Sequence, residues 1–180
     1  MKKNKLNARR FVIAGAAALL VIFLLLALSS CTRSVSLYFA EYTEDNAYLT
    51  EEIREIPAGG ELCKNVVEEL VKGPENSQLY PTIPSDVRVN SVEISDGTAT
   101  VDFSKEIITN LEEIPHSSTT EVLAIYSIVN TLTESEEIDK VKITIEGRDS
   151  GQIDGLYIED FWGHVGIYEE FTRNEDIIKS

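Results

Sequence analysis

Cysteine is nearly missing from this chain. There are two in 180 residues, alongside one methionine, one tryptophan and two histidines. A disulfide scaffold is thereby excluded. A zinc centre or a Ser-His-Asp triad would need His116 or His164. The first lies in a loop and the second among tail aromatics and glycines, and neither has a metal-binding neighbour at usable spacing. Phosphate loops are lacking too, because "AGGEL" (58–62) has neither the Lys nor the Ser/Thr that a P-loop requires. "DSGQIDGLYIED" (149–160) does not fit the EF-hand spacing. No metal and no cofactor is therefore expected. No repeat and no low-complexity stretch follows Cys31.

Acidic residues are missing from one region only. Met1 to Arg10 carry Lys2, Lys3, Lys5, Arg9 and Arg10, and Phe11 to Leu28 follow as a run of apolar and small residues. "LSSC" closes it at Cys31. Basic head, apolar middle and small residues before the cut are the parts of a secretory signal, and the closing tetrapeptide resembles a bacterial lipobox. Residues 1–30 are thus read as a lipoprotein signal peptide, Cys31 as the lipidated position and 31–34 as the tether. The expected location is the extracytoplasmic face of the cell membrane, held there by the lipid on Cys31. A retained signal anchor is the competing reading, since about 20 residues span a bilayer.

Removing the signal leaves 11 basic against 31 acidic residues, a formal charge of −20. Nucleic acid is excluded as a partner, because binding it relies on neutralising phosphates with Lys and Arg. A basic protein partner in the envelope fits such an excess. With Cys31 acylated, Cys63 is left as a lone thiol on the apolar side of a helix, where it acts as a small hydrophobe. The adjacent pairs Glu51-Glu52, Glu68-Glu69, Glu112-Glu113 and Glu136-Glu137 read as solvated faces or turns.

The 149 residues that follow Cys31 match the size of one domain. "SVSLYFAE" alternates Val35, Leu37 and Phe39, the period of a half-buried strand. "YLTEEIREIP" follows, with Leu49 and Ile53 as inward candidates. "ELCKNVVEELVKGP" has helical spacing and the Gly73-Pro74 stop. "VRVNSVEI" and "TATVDF" flank Asp96-Gly97, a strong hairpin signal that sets Ile94 opposite Ala99 and Val92 opposite Val101. Val87 and Val89 are out of phase with Val92, so a bulge is predicted near Asn90-Ser91.

Ser118 and Glu121 form a Ser-x-x-Glu capping box for a second helix, whose stripe is Val122, Ile125, Ile128, Val129 and Leu132, widened by Leu123 and Tyr126. "KVKITIEG" is a strand, and a short one is expected near Leu156 to Ile158. The fold class is α+β: one mixed sheet against two helices, in the order β-β-α-β-β-α-β. The Asp-Gly-Thr stretch at Asp96 superficially matches a phosphorylated-aspartate loop, but hairpin alternation on both flanks makes it a turn. Asp102 is expected as a buried-edge hydrogen-bond acceptor that fixes the Ser104-Lys105 bend, not as a catalyst.

In this order and spacing, "LYF", "LTEEIREI", "VVEELVKGP", "TIPSDVRVNSVEISDGTATVDFSKE", "EVLAIYSIVNTLTE" and "VKITIEG" resemble the GerMN domain of bacterial sporulation and spore-germination lipoproteins. The resemblance covers residues 35–147, leaving 148–180 as a C-terminal extension packing on the domain. It implies a non-enzymatic envelope module for interaction or assembly, with no catalytic residues to carry over. The GerM type carries two such domains, and this chain has room for one. The alternative is a module binding a cell-wall glycan or peptide, with Tyr157, Trp162 and Tyr168 of the aromatic tail as stacking groups. A hydrolase using paired carboxylates is a third reading.

Overall fold

The computed structural model describes residues 32–179. The expected signal peptide and Cys31 lie outside the described residues. Strand β1 (Thr32–Tyr42) begins directly after Cys31, so Thr32 to Ser34, expected as tether, are already strand. It pairs antiparallel with β2 (Ala47–Pro57), and Thr43 closes the turn by donating its N–H to the Asn46 carbonyl at 2.8 Å.

β1 is buried on both faces at its centre. Leu37 and Phe39 point into the main core, and Tyr38 and Ala40 into a smaller one with Leu49 and Leu123. This two-sided burial corrects one expectation. Leu49 is buried, but Ile53, on the same side of β2, is 68% exposed because the smaller core ends before reaching it. Arg54 and Ile56 take the inward positions instead, opposite Val35 and Arg33 in the register.

Helix α1 (Leu62–Val71) buries Val66, Val67, Leu70 and Val71. It stops where Gly73 turns left-handed (φ 81°) and donates its N–H to the Leu70 carbonyl. The hairpin β3 (Val89–Ser95) and β4 (Thr98–Phe103) has the expected register, Ile94 against Ala99 and Val92 against Val101. Asp96 (φ 50°) and Gly97 (φ 78°) both adopt the left-handed region, as a two-residue turn that follows the strand twist demands. The register shifts between Val89 and Ser91, so Asn90 is the bulged residue. Ala99, Val101 and Phe103 are buried, whereas Ile94 stays partly exposed because β3 is an edge strand.

A single helical turn, α2 (Glu106–Thr109), precedes helix α3 (Ser118–Leu132). The capping box is one residue earlier than expected. Ser117 accepts from the Thr120 N–H at 3.2 Å, and the Thr120 hydroxyl accepts from the Ser117 N–H at 2.9 Å. Glu121 is thereby released from capping and turned inward, fully buried. The predicted stripe holds from Ile125 to Leu132, but Val122 is only half-buried and Leu123 faces the smaller core.

Strand β5 (Lys140–Ile145) runs parallel to β4, joined to it across α3. The tail forms a small hairpin, β6 (Gln152–Ile153) with β7 (Leu156–Tyr157), and then β8 (Phe171–Thr172), which pairs antiparallel with β5. The α+β class and the mixed sheet stand, in the order β3-β4-β5-β8.

The single sheet does not. β1 and β2 form a separate two-stranded sheet, because the open side of β1 is taken by other partners at Tyr38 and Ala40. Tyr38 donates its N–H to Thr131 Oγ1 (3.1 Å), Ala40 and Tyr80 exchange backbone bonds, and α1 packs against both β1 and β3. The chain end also returns to β2, where Leu49 donates to the Ile177 carbonyl (2.8 Å) and accepts from the Lys179 N–H (2.9 Å). Each fully buried Phe, Leu or Ile contributes roughly 1.5–3 kcal/mol, and Phe39, Phe103, Leu37, Leu70, Ile107, Ile125 and Ile143 are all of that kind.

Candidate functional site

Of the aromatics singled out in the sequence, Trp162 lies in the tail loop 158–167, and Tyr157 and Tyr168 flank it. The loop's ends are tied by the Ile167 N–H to the Glu159 carbonyl (2.8 Å). Glu121 reaches into it from the first turn of α3 and accepts the N–H groups of His164 and Gly166, each at 2.8 Å. A fully buried carboxylate is satisfied here by backbone donors and fixes the loop on the core. Gly166 is required at its position: φ is +77°, and a Cβ would meet the Tyr168 ring at 2.3 Å and the Glu159 carbonyl at 2.7 Å.

Trp162 is not a stacking platform for a ligand. It is 6% exposed, its Nε1–H donates to the Ile107 carbonyl at 2.8 Å, and its ring lies between His116 (4.3 Å, 9°) and Phe161 (5.2 Å, 15°). The one-turn helix α2 leaves the Ile107 carbonyl free to accept this bond. Tyr157 and Tyr168 are exposed. Tyr168, which donates its hydroxyl to Asp160, borders a cleft of about 450 Å³ with Lys142, Asp149 and Glu159, and Tyr157 does not line it. The three predicted binding residues are therefore not brought together. His116 has its Nε2 buried without a partner, and burial lowers its pKa against the opposing pull of Glu121, with His164 adding to the depression.

Asp102 joins three elements. It accepts from Thr144 Oγ1 (2.8 Å) on β5, the Gly147 N–H (2.7 Å) after it, and Asn90 Nδ2 (2.8 Å) at the bulge. The bend at Ser104-Lys105 is held by others: the Lys105 N–H donates to Glu146, and Ser104 Oγ accepts from the Arg88 N–H.

Sequence reasoning missed Arg54. It is 8% exposed, and its guanidinium donates to the Glu69 and Gly73 carbonyls at the end of α1 (3.1 and 3.0 Å), to the Glu69 carboxylate (3.2 Å) and to Glu52. Glu52 and Glu69, expected on solvated faces, are thus partners of a buried cation. The signal lay in the alternation of β2, which puts Arg54 in phase with Ile56.

A second concavity lies at the start of β1. Arg33, Ser34, Val35 and Ser36 form one wall, and Leu62, Cys63 and Val66 of α1 with Leu132 and Glu134 form the other, around about 160 Å³. It adjoins a bowl of about 630 Å³ bordered by Glu61, Lys64, Val92, Ile94, Glu136 and Glu137. Cys63 is half-buried in this wall rather than fully buried. Burial raises its pKa, reinforced by Glu137 and opposed by Arg33, so it stays a thiol. Among the described residues, no group of three or more His, Cys, Asp or Glu side chains is placed to hold a metal ion, and no helix is long and apolar enough to cross a membrane.

A mixed sheet with two main helices, a companion hairpin and a tail woven back into both define an α+β domain whose internal charges hold backbone in place. The chain belongs to the Germane family, described as sporulation and spore germination, whose model matches residues 36–151. It is similar to the spore germination protein GerM of Bacillus subtilis (strain 168), with 32% identity over 111 residues that make up 59% of this chain and 29% of GerM. The chain thus spans less than a third of that relative's length. Among solved structures it resembles the tandem GerMN domains of the sporulation protein GerM from Bacillus subtilis (TM-score 0.62, 25% identity, 84% of this chain and 49% of that one). It also resembles a candidate lipoprotein from Clostridium perfringens (TM-score 0.51, 26% identity, 81% and 90%).

Proposed function

We propose that the chain is a membrane-tethered, extracytoplasmic lipoprotein whose one Germane-type domain is a non-catalytic interaction and assembly module of the cell envelope, serving sporulation or spore germination. The observation that carries this reading is the start of β1 at Thr32, adjacent to the lipobox-like Cys31. An acyl chain there would hold a folded sheet, with no slack linker, within about 10 Å of the bilayer. Such a tether fixes the orientation in which the domain meets neighbours and raises its effective concentration toward them.

The internal chemistry supports the same reading. Glu121, Arg54 and Asp102 are each occupied with backbone and side-chain partners, which rigidifies the domain. The likeness to a candidate lipoprotein over 90% of that chain supports the tether, and the likeness to GerM supports the biological setting.

The test is metabolic labelling with a fatty acid, together with crosslinking pull-down from membranes. The wild-type chain is expected to take up label and to crosslink to an envelope protein, with capture weakening as salt rises. Cys31→Ala is expected to lose both label and membrane retention. Label persisting in Cys31→Ala would refute the tether, and capture unaffected by loss of membrane retention would refute the assembly role that depends on it.

A further inference from the structure

The free edge of β1 lies inside the concavity described above. In an antiparallel pair, residues of one parity bond to the neighbouring strand and those of the other parity point their N–H and C=O groups away. Tyr38 and Ala40 bond away from β2, the one to Thr131 and the other to Tyr80. By the same parity, the N–H and C=O of Ser34 and Ser36 point away from β2, toward the cleft they line. Among the described residues, no strand pairs with them there.

The chemistry of the rim selects the occupant. Apolar side chains of Leu62, Val66, Val92 and Ile94 line the concavity, suiting alternate apolar side chains of an extended segment. Around it stand Glu61, Glu134, Glu136 and Glu137 against Arg33 and Lys64. Glu134 is neutralised by Arg173 at 2.9 Å, but Glu61, Glu136 and Glu137 have no ion-pair partner among the described residues. Lys64 is held on the Asn90 carbonyl (3.1 Å), which draws its charge to the β3 side.

Resting on the interaction-module reading, we propose that the edge at Ser34 and Ser36 receives an extended, basic segment of a protein partner as an added strand. Main-chain bonds to an open sheet edge supply affinity in this mode, and pockets for alternate side chains supply selectivity. The unpaired carboxylates attract Lys or Arg on the segment's other face, which favours a basic sequence over an acidic or neutral one.

The test uses the full chain in detergent and three fluorescein-labelled nine-residue peptides: alternating Val and Lys, alternating Val and Glu, and the Val/Lys peptide N-methylated at its four central residues. The Val/Lys peptide is expected to bind and to slow amide exchange at Ser34 and Ser36 by NMR. The other two are expected to bind at least tenfold more weakly, as is Val/Lys to the Glu136→Lys/Glu137→Lys variant, whose changes are both on exposed residues. Protection outside the cleft, indifference to N-methylation or charge reversal, or no binding at millimolar peptide overturns the proposal. Protection of the same amides on raising protein concentration without peptide assigns the edge to a second copy and also overturns it.

A photo-crosslinking residue at Ile94, compared with one at Tyr157, separates this from the broader reading. Membrane capture from Tyr157 alone removes the groove and leaves the assembly module standing. Capture from neither removes both.

Discussion

Replacing Arg54 with methionine tests whether a charge inside the fold is structural. The arginine side chain is 8% exposed and spans three elements: β2, which carries it, the end of α1, and the turn after it. Glu52 links the same cation to the turn by accepting the N–H groups of Glu75 (3.1 Å) and Asn76 (2.9 Å). Methionine fills similar volume over Phe39 but leaves two carboxylates, 12% and 18% exposed, without their shared cation, and the last carbonyls of α1 without a donor. Breaking a buried ion pair costs about 3–5 kcal/mol. Both carboxylates keep other donors, Glu52 its two backbone N–H groups and Glu69 the Lys72 ammonium. The loss is therefore expected at the low end, about 3 kcal/mol, or roughly 6–12 °C in Tm for a domain of this size.

The pH dependence gives an independent check. Burial opposes ionisation of Glu52 and Glu69, but hydrogen bonds outweigh it: the Asn76 and Glu75 amides and Arg54 for Glu52, and Lys72 and Arg54 for Glu69. Both pKa values are lowered in the folded chain. Their contribution is then fully present above the ordinary carboxylate pKa of about 4.3, and is lost as pH falls through the folded values. Urea or thermal melts followed by circular dichroism should show the wild type ahead of Arg54→Met at pH 7, with the gap narrowing below about pH 4. The carbonyl bonds do not titrate, so the gap should not close. Equal stability at neutral pH, or a gap that stays constant into the acid range, would refute the account.

Three further expectations concern the other internal polar groups. Glu121→Gln should cost about 2 kcal/mol, since the amide oxygen can accept from only one of the two N–H groups and its NH2 is set against the other, and should speed amide exchange at His164 and Gly166; unchanged exchange there would show that the carboxylate does not hold the loop. His116 has a lowered pKa, so the unfolded chain takes up its proton first and stability should decline as pH drops below about 6.5. His116→Phe keeps a ring on Trp162 and should flatten the Tm difference between about pH 7.5 and 5.5, whereas an undiminished slope would assign it to other groups. Asp102→Asn should cost about 1 kcal/mol, seen as a lower urea midpoint with an unchanged m-value, and a midpoint equal to wild type would show the three donors to be satisfied without the charge.

Local chemistry made part of the fold legible. Asp96-Gly97 can take left-handed dihedrals on both residues, so the β3–β4 register follows from two adjacent positions, and the phase change at Val89 gives the bulge. Gly73-Pro74 ends α1 for similarly local reasons. Where two local solutions compete, the tertiary structure decides. Ser117/Thr120 and Ser118/Glu121 can each cap α3, and the N–H groups of His164 and Gly166, more than 40 residues away, draw Glu121 inside. Parity also failed on β1–β2, because a strand buried on both faces accepts either phase, and Ile53 and Ile56 are then equally good candidates. Trp162 could not be placed by composition at all. Its position depends on a free carbonyl of α2 and on the His116 ring, both brought there by the long-range fold.

The acidic excess includes two populations with different physics. Glu52, Glu69, Asp102 and Glu121 spend their charge on donors inside the fold, where salt screens little. Glu61, Glu136 and Glu137 border the cleft beside β1 with no such partner and are reached by solvent ions, which screen charges beyond about 8 Å at physiological salt. Folding and partner attraction therefore draw on separate carboxylates of one chain. Ionic strength can weaken the second while leaving the first in place, and substitutions at the cleft rim can change what binds without changing what folds. A rigid domain set one residue from its proposed anchor needs that separation, because its orientation has to survive any change in the charge it presents.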